Sequence, residues 1–325
     1  MDVLRYRRVF TATLAVALVS GCGSRAVSQP TLPPQQPLPV VSRAAPVSPP
    51  AQRPDRRAAT TASVGGAEAP ARARRGPLPP ASGASFARLQ AQLGGQIGVA
   101  VSGIGFHQRV QTLGQLQTAI AWSTSKVPVA MAIYAAGLAG GRQRDLVAAI
   151  TASDNAAAER LWTALGSGAS AAGAADAQLR AAGDMRTRMQ AARLRPGFTP
   201  FGQTVWRLTD QTRFAAGMPC LTAGAQVLGL MNQIVAGERW GLGAAGVSAQ
   251  FKGGWGPGSQ PGINGGYLER QFGIVTVRGT PVALSIAALP PDGSHASGTN
   301  ALTTIARWSV AHVRVARLPR RPACD

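Results

Sequence analysis

Ser123-Thr124-Ser125-Lys126 places a hydroxyl and an amine three positions apart. A serine hydroxyl is a weak nucleophile and needs a base beside it. If Ser123 opens a helix, Lys126 lies one turn on, along the same face. The helix N-terminus adds partial positive charge near the reacting oxygen. Pro128 is compatible with such a start, because first-turn amides have no intrahelical partner to lose. Ser153-Asp154-Asn155 forms a second group. Its serine can relay a proton to a leaving nitrogen, and Asn155 can hold Lys126 and a substrate amide. Lys252-Gly253-Gly254 forms a third. Its glycines let a substrate lie flat along a strand edge. Its cation attracts a carboxylate and, by like-charge repulsion, lowers the pKa of a neighbouring lysine. Each group alone has a simpler reading: an N-cap serine with a solvated lysine, a helix cap, and a strand-ending turn.

Lysine usage ties the groups together. Of 33 basic residues only Lys126 and Lys252 are lysine. Arginine cannot lose its proton at ordinary pH and a buried lysine can, so these two mark places where arginine fails. The formal charge of +20 suggests an anionic partner. The arginines form no basic stripe with a nucleic-acid reader motif, however. The excess is that of a chain that uses arginine wherever a positive charge serves, and no nucleic-acid partner is expected.

The elements that must position these groups are legible from about residue 86. Phe86–Leu93 is a short amphipathic helix with Ser85 placed to cap it. Gln96–Ser102 and Gln108–Leu113 are strands joined by a glycine-containing turn. Ser123–Leu138 is a mostly apolar, buried helix. Asp145–Thr151 and Ala156–Leu165 are helices broken at Ser153-Asp154-Asn155. Residues 167–186 are alanine-rich with weak patterning. Leu221–Ala236 is a helix. Val247–Lys252, Gln271–Arg278 and Val282–Leu289 are strands, the last two linked at Gly279-Thr280. Thr299–Val315 closes the domain as an amphipathic helix. Two strands, a block of helices, three strands and a helix mean an α+β fold. It has a five-stranded antiparallel sheet, assembled from both ends of the chain and flanked by helices.

The N-terminus reads as an export signal, residues 1–21. Arg5, Arg7 and Arg8 precede a short apolar run, Phe10–Val19. Val19-Ser20-Gly21-Cys22 resembles a bacterial lipobox, which implies lipidation of Cys22 and a membrane-anchored protein outside the cytoplasm. An ordinary cleaved signal with an incidental Cys22 is the alternative. Residues 22–85 repeat Pro, Ala, Arg, Ser and Gln without periodicity and form a disordered tether. Residues 86–318 form the domain, and 319–325 a C-terminal tail. Outside the cytoplasm Cys220 and Cys324 can pair, or remain two thiols. No C-x-x-C pair exists and His107, His295 and His312 are scattered, so no metal site is expected.

The order Ser-x-x-Lys, Ser-Asp-Asn, Lys-Gly-Gly resembles the motif set of class A β-lactamases and penicillin-binding proteins. Gly95–Ser102 is similar to that family's first strand, Leu146–Leu161 to its text around the second motif, and Gln271–Leu289 to its last two strands. The resemblance covers about residues 86–316. It implies that Ser123 is the acylated nucleophile, Lys126 its base, Ser153 and Asn155 the second catalytic element, and Lys252, Gly253 and Gly254 the substrate strand. The backbone N–H groups of Ser123 and Trp255 would form the oxyanion hole. Trp122 and Trp255 line the cleft or simply pack. No cofactor is implied.

Three departures from that pattern bear on function. Lys-Gly-Gly lacks the usual middle hydroxyl, which puts a contact to the substrate carboxylate in doubt. Between Glu159 and Glu238 there is no glutamate to activate a deacylating water. Asp176, Asp184 and Asp210 stand in a different context. Gln203 is one candidate to position a water, or a structural turn residue. Ser123 and Ser153 are 30 positions apart, about half the separation usual in the family, which implies a reduced helical subdomain and an open cleft. The expectation is a monomeric serine hydrolase acting through an acyl-enzyme on β-lactam or envelope peptide, with slow deacylation. The alternative is a catalytically inactive binding module of the cell envelope.

Overall fold

Gln96–Ser102 carries apolar residues on both faces and is buried almost throughout, as only an interior strand can be. In the computed structural model, which describes residues 76–258 and 266–325, this strand occupies the interior of a five-stranded sheet. The expected signal segment, Cys22 and the expected tether as far as residue 75 lie outside the described residues.

The elements follow in this order: α1 (Ser82–Leu93), β1 (Gln96–Ser102), β2 (Gln111–Gly114), β3 (Thr118–Ile120), α2 (Lys126–Ala135), α3 (Gln143–Thr151), α4 (Asn155–Ala164), α5 (Gly168–Ala181), β4 (Val205–Arg207), α6 (Leu208–Gly217), α7 (Thr222–Met231), β5 (Ala249–Pro257), β6 (Tyr267–Val277), β7 (Thr280–Leu289) and α8 (His295–His312). The large sheet runs β2-β1-β7-β6-β5, antiparallel at every pairing. Val99 faces Ile286 across its central seam. A separate pair, β3 with β4, closes beside it.

Alternation along the strands sends side chains to two faces, where two large cores and a smaller one form. Ile97, Val99, Val101, Val282, Leu284 and Ile286 meet Phe86 and Leu89 of α1 and Leu302 and Ile305 of α8. Phe272, Ile274 and Ala283 point the other way, into the core built by α2–α7. Val127, Val129, Ala130, Met131 and Ile133 are buried to 0 % exposure, so α2 is the axis of the helical part and has no solvent face to make it amphipathic.

Several expectations need correction. Leu78 and Ser82 are buried, so packing begins ahead of Phe86. The first helix starts at Ser82, with Ser85 inside it rather than capping it. The second strand starts at Gln111, not Gln108. Ser123–Leu138 divides into a tight 3-10 turn, Trp122–Ser125, and the shorter α2. The Ala-rich segment forms a helix over Gly168–Ala181, and the helix expected over Leu221–Ala236 is α7, which stops at Met231. β5 runs on to Pro257 and β6 begins at Tyr267. The β6–β7 loop is Arg278-Gly279, with φ of 48° and 75°. Positive φ at both loop residues matches the twist of the flanking strands. The last helix starts at His295, because the Ser294 side chain accepts from the Ser297 N–H and caps it. Cys220 and Cys324 are joined by a disulfide with Cα atoms 5.3 Å apart. It ties the tail to the segment after α6.

Candidate active site

β5 is an edge strand, and the Trp122–Ser125 turn packs against it. Gly254 permits this approach. A Cβ there would lie 2.8 Å from both the Ala121 O and the Ser123 N, closer than packed atoms allow. Trp122 has φ of 46° and Ser153 has φ of 57°, left-handed values that cost a non-glycine residue energy. Both residues belong to the motif segments, where the surrounding packing must hold them.

Between these segments lies a cleft of about 200 Å³, lined by Trp122, Ser123, Ser153, Asn155, Trp255 and Tyr267 among others. The structure thus brings Ser123, Ser153, Asn155 and Trp255 to one surface. The two lysines sit behind it. Lys126 is 1 % exposed and Lys252 is 0 % exposed. Lys126 Nζ donates to the Ser153 carbonyl and, at 2.8 Å, to Asn155 Oδ1. Lys252 donates to Ser153 Oγ at 2.8 Å, to its neighbour's carbonyl (Gly253) at 3.1 Å and to Glu238 Oε2 at 3.5 Å.

Burial, and then the charge of Lys252, pull Lys126 down to a pKa of about 7. Burial also lowers Lys252, to about 8, with Glu238 opposing the shift. Counting donors separates their states. A neutral amine has two N–H groups and one lone pair, and among the described residues Lys126 has two acceptors. An ammonium has three donors, and among the described residues Lys252 has three acceptors. The arrangement therefore suits a neutral Lys126 with a free lone pair beside a charged Lys252. Ser153 Oγ accepts from Lys252, which leaves its own proton free to donate into the cleft.

A third buried cation fixes the frame. Arg270 of β6, 0 % exposed, donates to the carbonyls of Ala119 (2.9 Å), Ile120 (3.0 Å) and Trp206 (3.3 Å), and to Gln211 Oε1 (2.7 Å). Gln211 in turn donates to Thr124 Oγ1 at 3.1 Å. The residue next to Ser123 is thus tied through α6 to the sheet. Burial lowers the Arg270 pKa to about 9, which leaves the guanidinium charged at neutral pH.

The middle of the third motif has a steric reason. A Cβ on Gly253 would lie 3.1 Å from Trp240 Cη2, so the indole occupies the room a larger residue would need. Gly253→Thr is expected to destabilise the protein by about 1–3 kcal/mol through overpacking. Trp240→Ala in the same chain should recover most of that loss. Urea melts of the single and double variants read it, and additive losses would show that Trp240 is not the obstacle. Beyond Trp240, the His295 Nδ1 lies 2.7 Å from Glu269 Oε1, and burial raises Glu269 to a pKa of about 9. His295 touches Trp240, Trp255 and Tyr267.

Among the described residues no carboxylate lines the cleft. Asp184 is occupied with the Trp206 indole N–H and the amides of Arg186 and Thr187. Asp176 accepts from the Met189 amide, and Asp210 pairs with Arg213. Gln203 spends its amide on the carbonyls of Phe198 and Thr199, as a turn residue does. Among the described residues no group of His, Cys, Asp and Glu is arranged to hold a metal. Glu238, Arg270 and the Glu269–His295 pair were not singled out from the sequence. Glu238 stands 14 positions from Lys252 in an unpatterned loop, and nothing local flags it.

No protein-family model and no curated protein matches the chain. Solved structures do. A class A β-lactamase from Mycobacterium abscessus is 17% identical with a TM-score of 0.54, over 71% of this chain and 98% of that one. A β-lactamase from Xanthomonas campestris pv. campestris is 21% identical with a TM-score of 0.52, over 70% and 96%. One from Sphaerobacter thermophilus is 17% identical with a TM-score of 0.51, over 71% and 96%. The chain has the fold of the class A β-lactamases.

Proposed function

We propose that this protein is a serine hydrolase that works through an acyl-enzyme at Ser123, on β-lactams or on peptidoglycan-type amides of the cell envelope. The observation that carries the reading is the donor count around the two buried lysines. Neutral Lys126 takes the Ser123 proton on its free lone pair, and Ser123 Oγ attacks the carbonyl carbon. The N–H groups of Ser123 and Trp255 hold the oxyanion. Ser153 passes its proton to the leaving nitrogen and is reprotonated by the proton that Lys126 took from Ser123, while charged Lys252 stabilises the serine oxygen in passing. Asn155 holds Lys126 and the substrate amide. Gly253 and Gly254 let the substrate lie along β5.

Deacylation is slow in this reading, because among the described residues no carboxylate lines the cleft to activate water. We also place the protein outside the cytoplasm as a monomer, anchored through a lipid on Cys22. The same missing carboxylate, with Trp240 over Gly253, favours one second reading, a binding module of the envelope that has lost catalysis.

The test is intact mass of the full chain incubated with a fluorescent penicillin and followed over time. A stable adduct that is absent from Ser123→Ala is expected. An adduct that forms and vanishes within the first minutes would overturn slow deacylation. No adduct at any time would move the weight to the binding module.

A further inference from the structure

Among the described residues no lysine, arginine or histidine lines the cleft around Ser123, whereas four aromatic side chains do. Trp122 and Phe198 pack on each other with ring centroids 5.0 Å apart. Trp122 also lies under Gly256, where a Cβ would come within 2.6 Å of its ring. Alternation along β5 turns Trp255 to the other face of the strand, where it meets Trp240 at 5.9 Å and His295 at 5.6 Å. These walls are open to a ligand. Ser123, Phe198 and Trp255 are partly exposed, and Tyr267 is 39 % exposed.

The charges behind the walls disfavour an anion. Lys252 is 0 % exposed, and its three N–H groups go to Ser153 Oγ, the Gly253 carbonyl and Glu238 Oε2. Trp240 covers the same strand, 3.1 Å from where a Cβ on Gly253 would stand. The cation expected to draw in a carboxylate is therefore both buried and spent. The carboxylates of Glu238 and Asp154 lie close enough to act on Lys126. With Lys126 neutral, two carboxylates stand against one ammonium. Arg193 donates to the Phe198 carbonyl but is paired with Glu159 at 2.8 Å. His295, behind Trp255, has its Nδ1 2.7 Å from Glu269 Oε1. That pair has no net charge whether the proton between them sits on the ring or on the carboxyl. A carboxylate entering this cleft would leave water and meet no free cation in return.

We propose that the cleft selects acyl donors that are uncharged and carry an aromatic ring, and that a carboxylate beside the bond to be broken counts against a substrate. The ring packs on the open faces of Phe198, Trp255 and Tyr267, in the offset or edge contacts that aromatic pairs favour. Acids still react, more slowly. This selection rests on the reading of Ser123 as the nucleophile and narrows its substrate class.

The test compares benzylpenicillin with its methyl ester, in which the carboxylate is masked, on the full chain at neutral pH. Both react alike. Ser123 Oγ bonds to the carbonyl carbon, the ring C–N bond breaks and the nitrogen takes a proton, so the whole mass of the compound is added to the protein. Intact mass follows the adduct, with Ser123→Ala as the blank. Each rate is divided by that compound's rate of opening by hydroxide. The ester is expected to acylate at least about fivefold faster than the acid. Exchanging the phenylacetyl group of the ester for acetyl should slow it at least about fivefold, and Tyr267→Ala should shrink that margin. Glu238→Gln keeps an acceptor for Lys252 but removes a negative charge. It should narrow the ester-to-acid ratio at least about twofold, and such a ratio does not move with a general loss of activity. An acid that acylates as fast as its ester, or a phenyl ring that brings no gain, would overturn the proposal and leave Ser123 as the nucleophile. So would a ratio that Glu238→Gln leaves unchanged. No adduct from any of the three compounds would overturn both the selection and the reading beneath it.

Discussion

Replacing Lys126 with arginine is expected to slow acylation of Ser123 by about 10²–10⁴-fold, the usual worth of a positioned general base. The size of the effect follows from protonation, not from lost packing. Lys126 has a pKa of about 7, because burial and the charge of Lys252 disfavour its ammonium form. An arginine at the same place stays charged and cannot accept the serine proton. The pH profile carries the sign. Acylation should rise as pH passes about 7 and Lys126 becomes neutral. It should fall above about 8, as Lys252 loses the charge that holds the serine oxygen. Stopped-flow acylation by a fluorescent penicillin from pH 5 to 10 measures both limbs, with melting curves as the control for folding. An unchanged rate in the arginine variant would remove Lys126 from the mechanism, whatever else Ser123 does.

Loss of Arg270 should act on stability instead. Arg270→Leu is expected to destabilise the protein by about 3–5 kcal/mol, because it strands buried carbonyls that water cannot reach. Those of Ala119, Ile120 and Trp206 and the Gln211 side chain would all lose a donor together. A loss of that size is a large share of an ordinary domain's stability, about 5–15 kcal/mol. The same change frees Gln211, whose bond to Thr124 braces the turn that carries Ser123. Denaturant unfolding gives the first number. A shift below about 1 kcal/mol would mean that the carbonyls find other partners.

How far the sequence discloses this molecule depends on whether a feature leaves a local pattern. The β6–β7 hairpin and β1 were visible because buried strands need uninterrupted apolar residues. Helix α6 was not visible. Asp210-Gln211-Thr212 is buried in its first turns, and polar residues inside a core erase the periodicity by which a helix is recognised. The β3–β4 pair went unnoticed because each strand has only three residues, too few for alternation to register. At the candidate site the residue types were legible, but their pairings were not. Nothing in Ser153-Asp154-Asn155 shows that the backbone carbonyl of Ser153, as well as its hydroxyl, engages a lysine. Nothing in Lys-Gly-Gly shows that an indole from position 240 fills the space over its middle residue. Those facts depend on tertiary approach, which spacing along the chain does not encode.

The seam between β1 and β7 sets an order of events. Val99 and Ile286 meet across the middle of the sheet, yet about three-quarters of the described chain lies between them. Hairpin β1–β2, meander β5–β6–β7 and the helices between them each join near neighbours and can begin by themselves. The seam must wait for them, because closing so long a loop costs entropy before any contact repays it. Contacts at the seam then arrive late, after the rate-limiting ensemble has passed. Trimming Val99 or Ile286 to alanine should leave refolding almost untouched and hasten unfolding. The lifetime of the folded molecule, more than the speed of its birth, is written in that one pair of strands.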